Sequence, residues 1–236
     1  MQNQRLRGQR KMTCPETENE TMSTICRFCQ IAAARYSDSA PWDVPFLASD
    51  DAFAIPSIGA LVEGWSLVVS KRHVLNLSAD YGSRSFQLFR LRAASHIRSA
   101  YGPLVSFEHG AFTESSLLSC GTSHAHLHFV PSIGSLSEII LRDGYNWLTV
   151  RASEIQPLID GREYFFYSEE PEALDPIGML HLVEVPSSQY FRRVVATKIN
   201  LLREFNYRLF PHSETAERTS LRLRTAGSES IELVQH

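Results

Sequence analysis

Three histidines, His124, His126 and His128, alternate with Ala125, Leu127 and Phe129 just after Gly121. Successive side chains of an extended strand point to opposite faces. A spacing of two therefore predicts three imidazoles on one face and apolar residues on the other. Packing three such rings side by side only to fill a core would be wasteful, because each ring nitrogen needs a hydrogen-bond partner. The stripe suits metal ligation, proton transfer or nucleophilic attack on phosphorus. The plain alternative is a polar face on a half-buried strand. A second group, Cys26 and Cys29, fits a redox pair, half of a zinc site, or two buried thiols. No βαβ pattern flanks that pair, which counts against thioredoxin-like redox chemistry.

The run from His124 to Val130 resembles the signature of the histidine-triad (HIT) superfamily of nucleotide hydrolases and nucleotidyl transferases. Three other segments carry the resemblance: Cys26 to Ile31, Gly64 to His73, and Glu108-His109-Gly110. It spans roughly residues 24–135, about half of the chain. The fold it implies is α+β, a mostly antiparallel five-stranded sheet with one long helix packed on it. Here a C-terminal helical extension would be added. The resemblance assigns the nucleophile to His126, attacking an α-phosphate to give a nucleotidyl-histidine. It completes a zinc site from Cys26, Cys29, His73 and His124. His128 and the backbone N–H groups around Gly121, Thr122 and Ser123 would stabilise the phosphoryl oxygens, as a glycine allows close approach to phosphate. Ser57 stands where small relatives contact ribose, and Gln189 and Arg193 match a segment of larger relatives that reaches the site. Glu108 and His109 would touch the leaving group or position water, or else form a polar pair on a solvated turn.

Trp65 departs from the pattern, since relatives carry a histidine there. Tryptophan can stack on a nucleobase but cannot accept a hydrogen bond. The segment from Gly110 to Gly121 is longer than in compact relatives and would reshape the leaving-group pocket. Retention of histidine at position 128 leans toward hydrolysis of a dinucleoside polyphosphate, a nucleoside phosphoramidate or a sugar nucleotide. The alternatives are a biosynthetic nucleotidyltransferase and a non-catalytic nucleotide sensor. The resemblance also implies a homodimer.

Elements must place these groups. The chain has 236 residues, 43% hydrophobic and 21% charged, with a formal net charge of −3. This composition is that of a globular protein and gives no general case for nucleic-acid or membrane binding. Four cysteines, two of them paired in sequence, and the lack of an apolar leader point to the cytoplasm. Residues 1–22 read as a disordered leader, 23–168 as the catalytic domain and 169–236 as the extension. Strands are expected at Ala52 to Pro56, Trp65 to Val69, Leu104 to Phe107, the triad run, and Tyr164 to Tyr167 after a hairpin signal at Asp160-Gly161. A long helix capped by Ser78 or Asp80 should end at Gly102-Pro103. A second, amphipathic helix is expected from Ser187 to Asn206.

Overall fold

The computed structural model describes residues 26–33, 40–119 and 122–232. The expected leader and Gly121 lie outside the described residues. We label eight strands: β1 Leu47–Ala48, β2 Ala52–Pro56, β3 Ser66–Ser70, β4 Leu104–Gly110, β5 His126–Pro131, β6 Leu148–Arg151, β7 Tyr164–Ser168 and β8 Ile177–Leu182. The helices are α1 Arg27–Ala32, α2 Arg84–Tyr101, α3 Ser137–Arg142, α4 Ile155–Ile159, α5 Tyr190–Lys198 and α6 Ser213–Glu232.

The fold is α+β, with an open antiparallel sheet in the order β1-β2-β3-β5-β4-β7-β8-β6. All five expected strands are present, but the sheet has eight. The apolar piece around His181 and Leu182, which falls in the expected extension, belongs to β8, which joins β7 to β6. The sheet therefore continues past residue 168, and the segment expected as an appendage begins inside it. Its backbone packs closely at Gly178, where a Cβ would lie 2.3 Å from the Tyr167 carbonyl oxygen. Asp160 and Gly161 do adopt positive φ, but they close α4 before β7 rather than a hairpin.

The strand period of two sorts the core into two layers. On one face Val68, Leu127, Phe129 and Phe166 pack against Phe86, Phe89, Ala93 and Ile97 of α2, with Leu223 of α6 in the same cluster. On the other, Trp65, Phe107, Phe165 and Tyr167 pack against Phe191, Val194 and Val195 of α5. Phe28 and Ile31 of α1 cover Leu67 and Val69 on that second face. Helix α2 starts at Arg84, later than expected. Ser78 is turned to Asn76 and Asp80 to Arg72, so neither caps it. Its end is as expected, at Gly102 with φ +83°. Helix α5 is shorter than the expected Ser187 to Asn206 segment, because Gln189 (φ +57°) and Asn200 (φ +59°) are left-handed and interrupt it at both ends. No helix among the described residues is long and apolar enough to cross a membrane.

Glu108 anchors the layer on the α2 face. It sits on β4 facing α2, wholly buried, where Leu77 N–H donates to Oε1 at 2.7 Å. The Tyr81 and Tyr164 hydroxyls donate to Oε2, each at 2.8 Å. Burial pushes its carboxyl up to about 7, against the opposing pull of those three donors. A raised carboxyl means that the folded protein binds a proton the unfolded chain has already lost. Stability from this group is thus full below pH 4.5 and falls as pH rises to about 7. At ~1.4 kcal/mol per unit the loss is of the order of 3 kcal/mol. Denaturant titrations across that window should show this decline, and Glu108→Gln should remove it; an equal slope in the variant would refute the assignment.

Candidate functional site

The triad residues reach the α1/α5 face, although they do not share one strand. His124 lies in a bend just before β5, because the Ala125 N–H turns to the Val74 carbonyl at 2.6 Å instead of joining the ladder. Phe28 touches both His124 (ring centroids 5.5 Å) and His126 (5.4 Å), and His126 lies 4.8 Å from His128. The rings are therefore contiguous.

Backbone carbonyls and one indole fix which nitrogen of each ring carries the proton. His126 Nδ1 is 2.7 Å from the His124 carbonyl oxygen. A carbonyl only accepts, so Nδ1 holds hydrogen and Nε2 holds the lone pair. His124 Nε2 donates to the Ser70 carbonyl at 2.7 Å, which leaves its Nδ1 as the acceptor. Trp65 Nε1–H donates to His128 Nδ1 at 3.0 Å. His128 must then carry its proton on Nε2. Burial lowers the affinity of all three rings for a second proton, to about 4 for His124 and well below the usual range for His128. Neighbouring His126, His109 and Arg192 add to the effect on His128. The rings are neutral at pH 7.

A cleft opens over His126 and His128. Arg27 and Phe28 of α1 form part of its wall, and Ser57, Ile58 and Leu67 another part. His109, Leu118, Thr122, Arg192 and Tyr207 complete the lining. Ser57, His109, Thr122, His126 and His128 are thus gathered as expected. Leu118 comes from the long segment before the triad. His109 is pushed down to about 3 by burial, with His126 and the nearby arginines adding to it, and its Nε2 accepts the Phe191 N–H at 3.3 Å.

Four expected contacts are not made. Glu108 faces α2, as described above. Trp65 is fully buried beneath His128, so it cannot stack on a base. Gln189 accepts the Tyr207 N–H at 3.3 Å behind the cleft wall. Arg193 points away, to Ser187 and Ser188, while its neighbour Arg192 enters the cleft. Arg27 and Tyr207 were missed, and Arg192 was passed over for Arg193. Arg27 could have been found from its place between Cys26 and Cys29, since any closed site there must carry it along.

Cys26, Cys29, His73 and His124 converge beside this cleft, their donor atoms all within 4.8 Å of one another. Cys26 Sγ is 3.4 Å and Cys29 Sγ 3.6 Å from His124 Nδ1, the nitrogen left with a lone pair. His73 Nδ1 is 3.2 Å from Cys29 Sγ, and its Nε2 meets Glu114 Oε1 at 3.1 Å. Tetrahedral bonds of ~2.0–2.3 Å put donors ~3.3–3.8 Å apart, so this spacing can hold a metal ion. The carboxylate on the far nitrogen of His73 is the outer partner such ligands use. Burial, with Cys26 alongside, pushes the Cys29 thiol up to about 12, and a cation would reverse that.

No protein-family model matches this chain, and no curated protein matches it in sequence.

Two outcomes follow. Long-range proton–nitrogen spectra near pH 7 should show His126 as the Nδ1–H tautomer and His128 as Nε2–H, and Trp65→Phe should mix the His128 forms alone. A shared tautomer for the two rings would contradict the geometry. The chain should also carry about one equivalent of metal, lost in Cys29→Ser. Metal held at a thousand times its Kd adds ~4 kcal/mol, so stripping it should lower Tm by about 10 °C. An unchanged Tm would mean that the cluster is four unliganded side chains.

Proposed function

We propose that this protein is a HIT-type nucleotide hydrolase that cleaves its substrate at the α-phosphate through a nucleotidyl-His126 intermediate. One observation carries the reading. His126 lines the cleft, and its Nδ1–H is committed to the His124 carbonyl, so its nucleophilic lone pair is on Nε2. A neutral imidazole attacks phosphorus well and leaves again readily. His128 offers an N–H from the adjoining position, a donor for a non-bridging oxygen as charge builds on it. The Trp65 bond holds that donor in place. The apolar wall of Phe28, Ile58 and Leu67 suits a nucleoside.

The metal in this reading is zinc, held by Cys26, Cys29, His73 and His124. Two thiolates and two imidazoles are a donor set that zinc takes in closed structural sites. With four protein ligands it would clamp α1 to the loop ahead of β5. It would supply structure and not a metal-bound water. As the nucleotidyl-histidine hydrolyses, the water oxygen would form the new P–O bond, the N–P bond would break with its pair returning to His126 Nε2, and one water proton would stay on the monophosphate while the other passes through that nitrogen to solvent. Transfer to another acceptor in place of water uses the same first step, and the retained His128 favours water.

The test mixes wild type and His126→Ala with α-labelled dinucleoside polyphosphates, a nucleoside phosphoramidate and sugar nucleotides. Wild type should release a nucleoside monophosphate, and His126→Ala should lose roughly 10⁴-fold or more in turnover while still binding nucleotide. Nucleotide binding without turnover in the wild type would instead make the protein a sensor.

A further inference from the structure

His109, His126 and His128 line the cleft, and nucleotidyl transfer as described engages only the last two. The register of β4 on β5 pairs Phe107 with His128 and Glu108 with Leu127, which sets His109 opposite His126. Residues directly opposite on one face have Cβ atoms about 4.5–5.5 Å apart, so His109 stands beside the nucleophile across the sheet. Its ring meets Phe107, Phe165 and Phe191 edge-on, with centroids 5.9, 5.4 and 5.2 Å away. His128 is 6.0 Å away. Close packing against three aromatic rings leaves the imidazole little freedom to turn.

The start of α5 decides where the His109 hydrogen sits. The first N–H groups of a helix have no partner within it. That of Phe191 donates to His109 Nε2, so Nε2 holds the lone pair and Nδ1 the hydrogen. Among the described residues Nδ1 has no partner, and it is not shut off from the cleft that the ring lines. Burial, and then His126 and the nearby arginines, keep the ring neutral near pH 7. It can offer a hydrogen bond there, but it is no acid.

We propose that His109 is a catalytic residue whose Nδ1–H binds a non-bridging oxygen of the phosphate being transferred. This rests on the nucleotidyl-His126 reading. In that step the Nε2 lone pair of His126 forms the N–P bond and the P–O bond to the leaving group breaks. The bonding pair departs on the leaving oxygen. Attack is in line, so the leaving oxygen lies on the far side of phosphorus from His126, with the non-bridging oxygens spread around the axis between them. A donor beside the nucleophile is placed for those oxygens and not for the leaving group. His109 thus differs from the leaving-group contact that the resemblance implies. With His128 Nε2–H two residues along β5, it makes a pair of donors, from two strands, whose directions are set before the substrate arrives.

The test uses a dinucleoside triphosphate and the 4-nitrophenyl ester of the same nucleoside monophosphate, whose leaving group departs without help. His109→Phe keeps the bulk and removes the donor, and should lower kcat about 100-fold on both compounds. KM should stay within about threefold, as for a bond made chiefly in the transition state. His109→Asn puts an N–H back near the Nδ1 position and should regain about tenfold. A loss confined to the triphosphate would put His109 on the leaving group and overturn the proposal. So would a wild-type kcat in His109→Phe, or an Asn variant no better than the Phe one. Long-range proton–nitrogen spectra of the wild type need no variant to fold, and should show His109 as the Nδ1–H tautomer; an Nε2–H form overturns the donor. A wild type that has this tautomer and cleaves neither compound removes the nucleotidyl-transfer reading, and the role of His109 with it.

Discussion

A neutral imidazole has one lone pair, and everything at this site turns on which nitrogen holds it. The hydrogen bond from His126 Nδ1 to the His124 carbonyl decides the matter for the central ring. That carbonyl is itself held, because the His124 side chain is anchored to the Ser70 carbonyl and sits among the thiols of Cys26 and Cys29. The cysteine-histidine cluster and the nucleophile are therefore consecutive links of one chain of contacts. Phe28, between the two cysteines in sequence, touches both rings and walls the cleft. A change in the cluster reaches the nucleophile through His124 and through Phe28.

His128 is given the opposite tautomer by Trp65, so adjacent rings present a lone pair and a donor. Neither needs to titrate near pH 7, since burial keeps both neutral. The same burial would be costly if the nitrogens lacked partners, and the carbonyl and the indole meet that need. The sheet contributes rigidity beneath them. Phe107 stacks under His128 at 4.6 Å and Phe191 of α5 stacks on Phe107 at 4.7 Å. The helix that brings Arg192 to the cleft is thus keyed to the strand that carries the histidines.

Much of this was legible in the sequence, for physical reasons. The triad spacing and the cysteine pair announce themselves because ligand chemistry needs specific atoms, whereas His73 was supplied by the resemblance alone; all four proposed ligands meet in space. The strands β2, β3, β4, β5 and β7 are apolar runs bounded by turn residues. Those that escaped notice, β1, β6 and β8, are short or irregular in pattern, and β6 is made a strand by pairing with β8 across the intervening α4 and β7. Glu108 could have been placed correctly. Strand alternation puts it opposite His109, hence away from the cleft if His109 faces it. Choosing Arg192 over Arg193 needed the start of α5, which a left-handed Gln189 sets and local propensity does not reveal. Trp65 was read by what its ring could stack on, and its place under His128 depends on pairing between β3 and β5.

The most direct test of the account asks which atom becomes linked to phosphorus. Protein labelled with nitrogen-15 in histidine would be mixed with substrate, trapped under denaturing alkali, where a phosphorus–nitrogen bond to imidazole survives, and examined for phosphorus–nitrogen coupling and by peptide mapping. The account predicts a single adduct, on Nε2 of His126. An adduct on Nδ1, or on another histidine, would contradict the tautomer set by the His124 carbonyl and with it the mechanism built on that bond.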